Sequence, residues 1–159
     1  MGDLASTYWK QGKLDEAEKL AVYVVEARKK NLGPHHPTTL ISIANLASTY
    51  RKQGRWSEAE TLEKQVFEVR KAKLGTDHPD TLMSMNNLAS VFWNQERLDE
   101  AEKLLLPALE ACKSKLGAGH PETLKSMMNL ASIYRKKKKW DEAEKLGLHV
   151  LSVAEAKLG

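Results

Sequence analysis

Apolar residues recur along this chain at the three- and four-residue spacing of amphipathic helices. One such stretch carries Leu40, Ile43, Leu46, Ala47 and Tyr50 on a single helical face. A second stretch does the same with Ala59, Leu62, Val66, Phe67 and Val69. No segment shows the strict alternation of apolar and polar residues that is typical of a strand. The pattern therefore predicts an all-α protein.

Capping residues predict where these helices begin and end. Proline in His36-Pro37 predicts a helix start, because the first helical N–H has no partner to lose, and this helix is expected to run to about Gln53. Ser57 with Glu60 resembles a capping box, which predicts that the next helix begins at Ser57. The residues equivalent to Ser57 are Asp15, Asp99 and Asp141. Left-handed glycine C-caps are predicted at Gly33, Gly75, Gly117 and Gly159.

The whole pattern repeats. The tripeptide Leu-Ala-Ser begins at residues 4, 46, 88 and 130, so the spacings 46−4, 88−46 and 130−88 are each 42 residues. Equal spacing without insertion indicates one repeat array, with units 1–33, 34–75, 76–117 and 118–159. The first unit lacks the start of its first helix. Each unit is expected to be an antiparallel pair of helices of about 16 residues, and stacked pairs predict an α-solenoid that winds as a right-handed superhelix with a concave face.

The segment from Asn45 to Ala59 resembles the tetratricopeptide repeat. The motif's main packing positions are Leu46, Ala47, Tyr50, Gly54, Trp56 and Ala59. Ordinary repeats of that family have about 34 residues. The longer unit with Leu-Gly-x-x-His-Pro is similar to the kinesin light chain type, which also occurs in C-terminal arrays of fungal and bacterial nucleotide-binding immune-type receptors. Glu96 and Lys138 replace the turn glycine of the other units, which predicts stiffer or reshaped turns.

The resemblance implies a non-catalytic scaffold that binds a protein or peptide in its concave groove. In the family, the asparagine before Leu-Ala bonds the peptide backbone, and the same helix face continues toward the turn. Arg28 and Arg70 match an arginine that contacts acidic peptides, whereas Cys112 occupies that place in the third unit. The implied groove residues are Arg28, Arg70, Asn45, Asn87, Asn129, Ser48, Ser90, Ser132, Arg51, Lys52, Trp93, Asn94, Arg135 and Lys136.

These residues predict a positive, partly aromatic groove that suits an acidic segment with an apolar anchor. Two alternatives stay open. The asparagines could bond only between neighbouring helices, and the basic residues could form a solvated face without a ligand.

Charge and composition narrow the partners. The chain has 159 residues and a net charge of +4, which is too mild to indicate nucleic-acid binding by itself. Nucleic-acid binding through the basic turn Arg135–Lys139 is the weaker alternative, since Arg51–Arg55 occupies the equivalent turn. No apolar run approaches the roughly 20 residues of a membrane span, so no membrane partner is expected. A single cysteine, Cys112, fits a cytoplasmic setting.

Catalytic and metal chemistry find no support in the pattern. His36, His78 and His120 occur once per unit, so we expect them to cap helices and not to meet at a metal. Neither a phosphate-binding glycine loop nor a paired-carboxylate site is present, and an active site requires one asymmetric cluster. The sequence predicts no enzyme activity, no cofactor and no metal.

The ends of the array suggest a rival function. The last helix places Leu146, Val150 and Val153 where a further unit would stack. Such a surface predicts a self-association module, a homo-oligomer formed when the uncapped ends of two copies stack.

Overall fold

The computed structural model describes residues 13–158, which form seven α-helices and no strand. The predicted helix that begins near Leu4, with Gly12, lies outside the described residues, as does Gly159. The all-α prediction is confirmed, and consecutive helices pack on each other as tetratricopeptide pairs do. The helices are α1 (Leu14–Leu32), α2 (Pro37–Lys52), α3 (Trp56–Leu74), α4 (Pro79–Asn94), α5 (Leu98–Leu116), α6 (Pro121–Lys136) and α7 (Trp140–Leu158).

The chain divides into two compact units, Met1–Val69 and Arg70–Gly159, with the boundary inside α3. In the first unit α1 packs on α2, and the core consists of Ala21, Val25, Leu40, Ile43, Leu46 and Val66. In the second unit α4 packs on both α5 and α6, and α6 also packs on α5 and α7. Fully buried side chains of this second unit include Leu82, Leu105 and Met127. The division into four 42-residue repeats stays a prediction.

Helix lengths differ within a pair. The helices that begin at proline have 16 residues, as expected, whereas α1, α3, α5 and α7 have 19. The capping-box prediction is wrong, because these longer helices begin before the residue that was expected to cap them. Ser57 and Asp141 are the second residues of α3 and α7. Asp15 and Asp99 likewise lie inside the first turn, since Lys13 and Arg97 occupy the N-cap positions without a side-chain cap bond.

Backbone hydrogen bonds explain this earlier start. The N–H of Arg55 donates to the Tyr50 carbonyl over 2.9 Å, and that of Arg97 donates to the Phe92 carbonyl over 2.9 Å. The carbonyl of Arg55 in turn accepts from the Ala59 N–H over 3.1 Å. The entry residue is therefore fixed by the main chain at both ends, and no side-chain cap is needed to position it.

The histidine caps are confirmed. The Nδ1 atoms of His36, His78 and His120 each accept a hydrogen bond, at 3.1 Å, from the backbone N–H two residues later. Each histidine has extended backbone dihedrals and precedes the proline that opens a helix. The repeated His-Pro pair thus supplies both an acceptor for an unpaired N–H and a residue that needs none.

Two kinds of turn contain residues with positive φ. Glu96 and Lys138 adopt φ of 63°, close to the 74° of the equivalent Gly54. The turns therefore keep the glycine conformation, and the expected reshaping is not observed. The predicted left-handed C-caps are wrong at Gly33 and Gly117: their φ of 95° with ψ of 157° and 156° is an extended mirror-image conformation and not a left-handed helical one. That region is accessible essentially to glycine alone.

Candidate functional site

The site is built where α4 and α6 pack side by side in the second unit. A buried polar layer joins the two helices: Ser126 Oγ donates to Asn86 Oδ1 over 2.8 Å, and Asn86 Nδ2 donates to Glu122 Oε1 over 2.7 Å. One residue further along, Lys125 Nζ donates to Asn87 Oδ1 over 3.1 Å, and both of these side chains are partly exposed. The contact therefore has a buried side and a side that solvent reaches.

A cavity of about 170 Å³ lies at this contact. Leu105, Ile133 and Ala89 give it apolar walls. Its other lining residues are Ser90, Trp93, Asn94, Asn129 and Ser132, all of which the sequence predicts as peptide-binding. The fold thus brings together five of the predicted residues from two different repeats.

Among the polar residues that line the cavity, two side-chain donors have no hydrogen-bond partner. Ser90 Oγ donates to the Asn86 carbonyl over 3.2 Å, and Ser132 Oγ donates to the Met128 carbonyl over 3.0 Å. Trp93 Nε1 and Asn129 Nδ2, in contrast, are buried and have no hydrogen-bond partner. The two hydroxyl hydrogens are engaged, while one indole N–H and one amide group remain available.

Basic side chains border the cavity. Lys136 Nζ lies 4.0 Å from the centroid of the Trp93 ring, in the geometry of a cation–π contact, and forms an ion pair with Glu96 at 2.6 Å. Arg135 Nη2 donates to Ser132 Oγ over 3.3 Å. None of the cavity's lining residues is acidic. The cavity is therefore bordered by a positive charge at Arg135 and by a balanced pair at Lys136 and Glu96.

Lys125 is a basic side chain at the α4–α6 contact that the sequence analysis did not single out. It lies four residues before Asn129, and therefore on the same face of α6. The equivalent positions in the other repeats are Ile41 and Met83, which are 51% and 42% exposed. That shared spacing before each asparagine was the signal that could have identified this position.

The first unit contains the equivalent predicted residues of α2. Asn45 and Lys52 are exposed, and Arg51 Nη2 donates to Ser48 Oγ over 3.0 Å. Within this unit the polar face is thus ordered by a bond between adjacent helical turns. Peptide binding by these four residues stays a prediction.

The predicted arginines contact other parts of the chain. Arg70 is 7% exposed, and its Nη1 donates to Ser84 Oγ over 2.9 Å and to the Asp80 carbonyl over 3.2 Å. Arg28 Nη1 contacts Ser42 Oγ in the same way. Neither arginine lines the cavity. Both side chains tie a second helix to the following first helix, and their peptide-binding role stays a prediction.

A second cavity, of about 430 Å³, lies on the face formed by α6 and α7. Met128 and Trp140 line it and are 57% and 61% exposed. Val150 also lines this cavity, whereas Leu146 and Val153, the other predicted self-association residues, are partly buried outside its lining. Arg135 and Glu144 place opposite charges on the same surface.

Cys112 is the chain's single cysteine. Its side chain is fully buried, with Sγ 3.8 Å from Ser126 Oγ, and burial raises the pKa of the thiol. A raised pKa disfavours the thiolate that a nucleophile or metal ligand requires. Residues 13–158 hold no cluster of side chains that could bind a metal ion. In the same range no helix combines the length and apolarity that a membrane span requires.

Comparisons with known proteins place this architecture in a family. Two family profiles, both described as tetratricopeptide repeat, match residues 1–72 with 80–156, and residues 44–115. Comparison with curated proteins finds none that matches.

Solved structures agree with the family profiles. A single-residue variant of a Podosopora anserina protein described as "putative kinesin light chain nearly identical TPR-like repeats" has a TM-score of 0.85 at 30% identity, covering 99% of this chain and 75% of that one. A second structure of the same description has a TM-score of 0.81 at 30% identity, with 98% and 74% covered. BtubC (BKLC) from P. vanneervenii shares the fold, with a TM-score of 0.86 at 18% identity and 98% and 62% covered. This chain therefore belongs to the tetratricopeptide repeat family, and its structural neighbours are kinesin light chain-like.

Proposed function

We propose that this chain is a non-catalytic scaffold that binds an acidic peptide or protein segment along the exposed side of the α4–α6 contact. Tetratricopeptide repeats generally mediate protein–protein interaction. The observation that carries the proposal is the cavity that gathers Ser90, Trp93, Asn94, Asn129 and Ser132 between two repeats. With one buried cysteine in the chain, we place the protein in the cytoplasm.

The chemistry of the face suits an extended chain. Asn129 and Asn87 present amide groups, which can pair with both the N–H and the C=O of a peptide backbone. Lys125 already occupies Asn87 Oδ1, so Asn87 is left with its N–H groups as donors. The apolar walls formed by Leu105 and Ile133 accept a small apolar or aromatic group. Lys125, with Arg135 at the rim, favours acidic residues in the ligand. The charge of Lys136, which also lies there, is balanced by Glu96.

A nucleic-acid ligand is disfavoured by the ion pairs of the basic turn. Lys137 Nζ lies 2.5 Å from Asp99 Oδ1 and 3.0 Å from Glu102 Oε2. Lys136 is paired with Glu96. Carboxylates within the chain thus neutralise part of the charge that a phosphate backbone would need.

The test is a charge reversal with a matched control. Short peptides that combine acidic residues with one tryptophan are screened against the chain, and the best binder is titrated against Lys125→Glu. We expect affinity to fall about tenfold, as for a lost favourable charge that becomes unfavourable, and the effect to shrink with added salt. Lys103→Glu makes the same change of charge at an exposed position of α5 and should bind normally. Equal affinities for the two variants would overturn the proposal.

Self-association is the second candidate, favoured by the exposed apolar cavity on the α6–α7 face. The equivalent face one repeat earlier, on α4 and α5, is covered by α6 in this same molecule. A second copy could cover the α6–α7 face through a two-fold contact, in which Arg135 of each copy meets Glu144 of the other. The dimer would bury Trp140 and Met128, which are now more than half exposed.

Light scattering over a wide concentration range tests this dimer. We expect a concentration-dependent dimer for the unmodified chain and a monomer for Val150→Lys. Leu106→Lys, on the exposed part of α5, is the control and should leave the dimer intact. A monomer at every concentration, or a dimer that Val150→Lys does not disturb, would exclude association through this face.

A further inference from the structure

Two residues that line the cavity between α4 and α6 carry buried hydrogen-bond donors without a partner, and none of its lining residues is acidic. We propose that it is a carboxylate-binding pocket in which Trp93 Nε1–H and Asn129 Nδ2–H donate to the two oxygens of one carboxylate. This inference rests on the proposed ligand groove and names the chemical group that the groove selects at this point.

The hydrogen-bond inventory of the wall leads to an acceptor. Trp93 Nε1 and Asn129 Nδ2 are buried without partners, and a buried donor left unpaired costs about 1–3 kcal/mol. An indole N–H can only donate, so a group that pairs with Trp93 must accept. The hydroxyl groups of Ser90 and Ser132 donate to backbone carbonyls, and neither hydroxyl oxygen accepts from Trp93 Nε1 or Asn129 Nδ2. The ligand group must therefore supply acceptors for two donors.

Charge and size select a carboxylate among acceptors. A carboxylate has two acceptor oxygens on one carbon, and its hydrogen bonds are about twice as strong as those of a neutral carbonyl. Arg135 lies beside the cavity, as does Lys136 with its ion-pair partner Glu96, and no acidic residue lines the cavity itself. A volume of about 170 Å³ is smaller than a drug-sized pocket and suits one side chain or one chain terminus.

Among the first helices that the structure describes, α2, α4 and α6, only α4 has a tryptophan at the position of Trp93; α2 and α6 have Arg51 and Arg135. In the sequence Trp9 stands at the equivalent position of the first unit, outside the described residues. Asn129, in contrast, recurs as Asn45 and Asn87. At a position where α2 and α6 have arginine, Trp93 thus places a neutral hydrogen-bond donor, and the Lys136 side chain covers its ring.

The carboxylate can come from two sources, which small probes distinguish. Capped glutamate, N-acetyl-glutamate N-methylamide, offers only a side-chain carboxylate, and N-acetyl-alanine offers only a terminal one. Capped glutamine is the neutral control of the same shape. The observable is the indole N–H signal of Trp93 in a ¹H–¹⁵N NMR spectrum, assigned by its loss in Trp93→Phe.

We expect a saturable downfield shift of the Trp93 signal with a carboxylate probe and no saturable shift with capped glutamine. A response to capped glutamate alone assigns an acidic side chain as the ligand, and a response to N-acetyl-alanine alone assigns a free C-terminus. A response to both supports the shared chemistry. Overturning results are a Trp93 signal that no carboxylate moves, or one that capped glutamine moves equally.

Variants separate this inference from the proposed function. Trp93→Phe keeps an aromatic ring beneath Lys136 and removes only the donor, so affinity for an acidic peptide found in the screen should fall about tenfold. Trp56→Phe makes the same change on α3, at a residue that lines neither cavity, and should bind normally. If peptides bind and Trp93→Phe binds them equally well, the carboxylate pocket is wrong while the scaffold stands. If no peptide binds but carboxylate probes shift the Trp93 signal, the scaffold proposal fails and the pocket stands.

Discussion

One contact between a second helix and the following first helix has different chemistry at α1–α2 of the first unit and at α5–α6 of the second. In the first unit Arg28, on α1, contacts Ser42 of α2 through its guanidinium group. In the second unit Cys112 holds the equivalent place on α5, and its Sγ lies 3.8 Å from Ser126 Oγ of α6. Ser126 there donates to Asn86 over 2.8 Å, so that a neighbouring amide supplies the polar contact that the arginine supplies in the first unit.

This difference shows that a repeat position fixes backbone geometry more firmly than it fixes the role of a side chain. The serine is present in both units, but its partner depends on which polar group reaches it. Arg70 repeats the arrangement of Arg28 with Ser84 and is almost fully buried. Arg70, which the family resemblance assigns to peptide binding, thus joins two helices of this chain.

The largest expected effect comes from removing the buried arginine. Arg70→Leu leaves Ser84 Oγ and the Asp80 carbonyl without the guanidinium donor, and we expect the free energy of unfolding to fall by about 2–3 kcal/mol. Arg28→Leu should cost less, because Arg28 is partly exposed and water can replace it. Chemical denaturation of both variants measures the difference. Equal losses of stability would mean that the burial of Arg70 does not make its contacts more stabilising than those of Arg28.

The second test introduces an arginine at the position of Cys112. Cys112→Arg introduces a large side chain into a fully buried site and should cost about 1–3 kcal/mol. Where the chain has Arg70 in place of Cys112, it has Ala44 at the position equivalent to Asn86. Adding Asn86→Ala should therefore recover part of the loss, since it frees both space and Ser126. A double variant that is less stable than Cys112→Arg would show that the arginine tie cannot be transferred.

The inter-helix turns give a smaller effect of opposite sign. Lys138 adopts φ of 63°, where a side chain is disfavoured, while the first unit has Gly54 at 74°. Lys138→Gly should raise the stability by about 0.5–1 kcal/mol, because relief of the left-handed conformation exceeds the added freedom of the unfolded chain. Gly54→Ala should lower it by a similar amount. Thermal unfolding of the pair checks both signs, and a loss of stability in Lys138→Gly would contradict the argument.

The smallest effect is the dependence on pH of an exposed ion pair. A hydrogen bond from Lys137 lowers the pKa of Asp99 in the second unit, as a hydrogen bond from Arg55 lowers the pKa of Glu18 in the first. A folded-state pKa below the unfolded value contributes stability above the unfolded pKa, and this contribution is lost as the pH falls through the folded pKa. Lys137→Gln should return the pKa of Asp99 toward its usual range, measured by NMR titration. The Asp99 side chain is 85% exposed, so the change in stability should be slight.

The sequence predicted the helix pairs because apolar spacing, His-Pro starts and glycine stops all pointed to the same boundaries. It failed at Ser57 and Asp99, where backbone bonds to the preceding helix fix the start and no side-chain cap is needed. The sequence did not predict the cavity, although repeat spacing put two of its lining residues, Trp93 and Asn129, in the predicted groove. Which of their hydrogen-bonding groups stay unpaired depends on rotamers and on the neighbours that reach them, and one-dimensional periodicity carries no such information.

The histidines that cap α2, α4 and α6 have a consequence for proton chemistry. A ring that accepts through Nδ1 must carry its hydrogen on Nε2, so all three are held in one tautomer. The Nε2–H group is then the one donor that each of these side chains keeps at its helix start. Three helix starts, spaced 42 residues apart at positions 36, 78 and 120, therefore share one fixed arrangement of ring acceptor and ring donor, which a serine or aspartate cap would not impose.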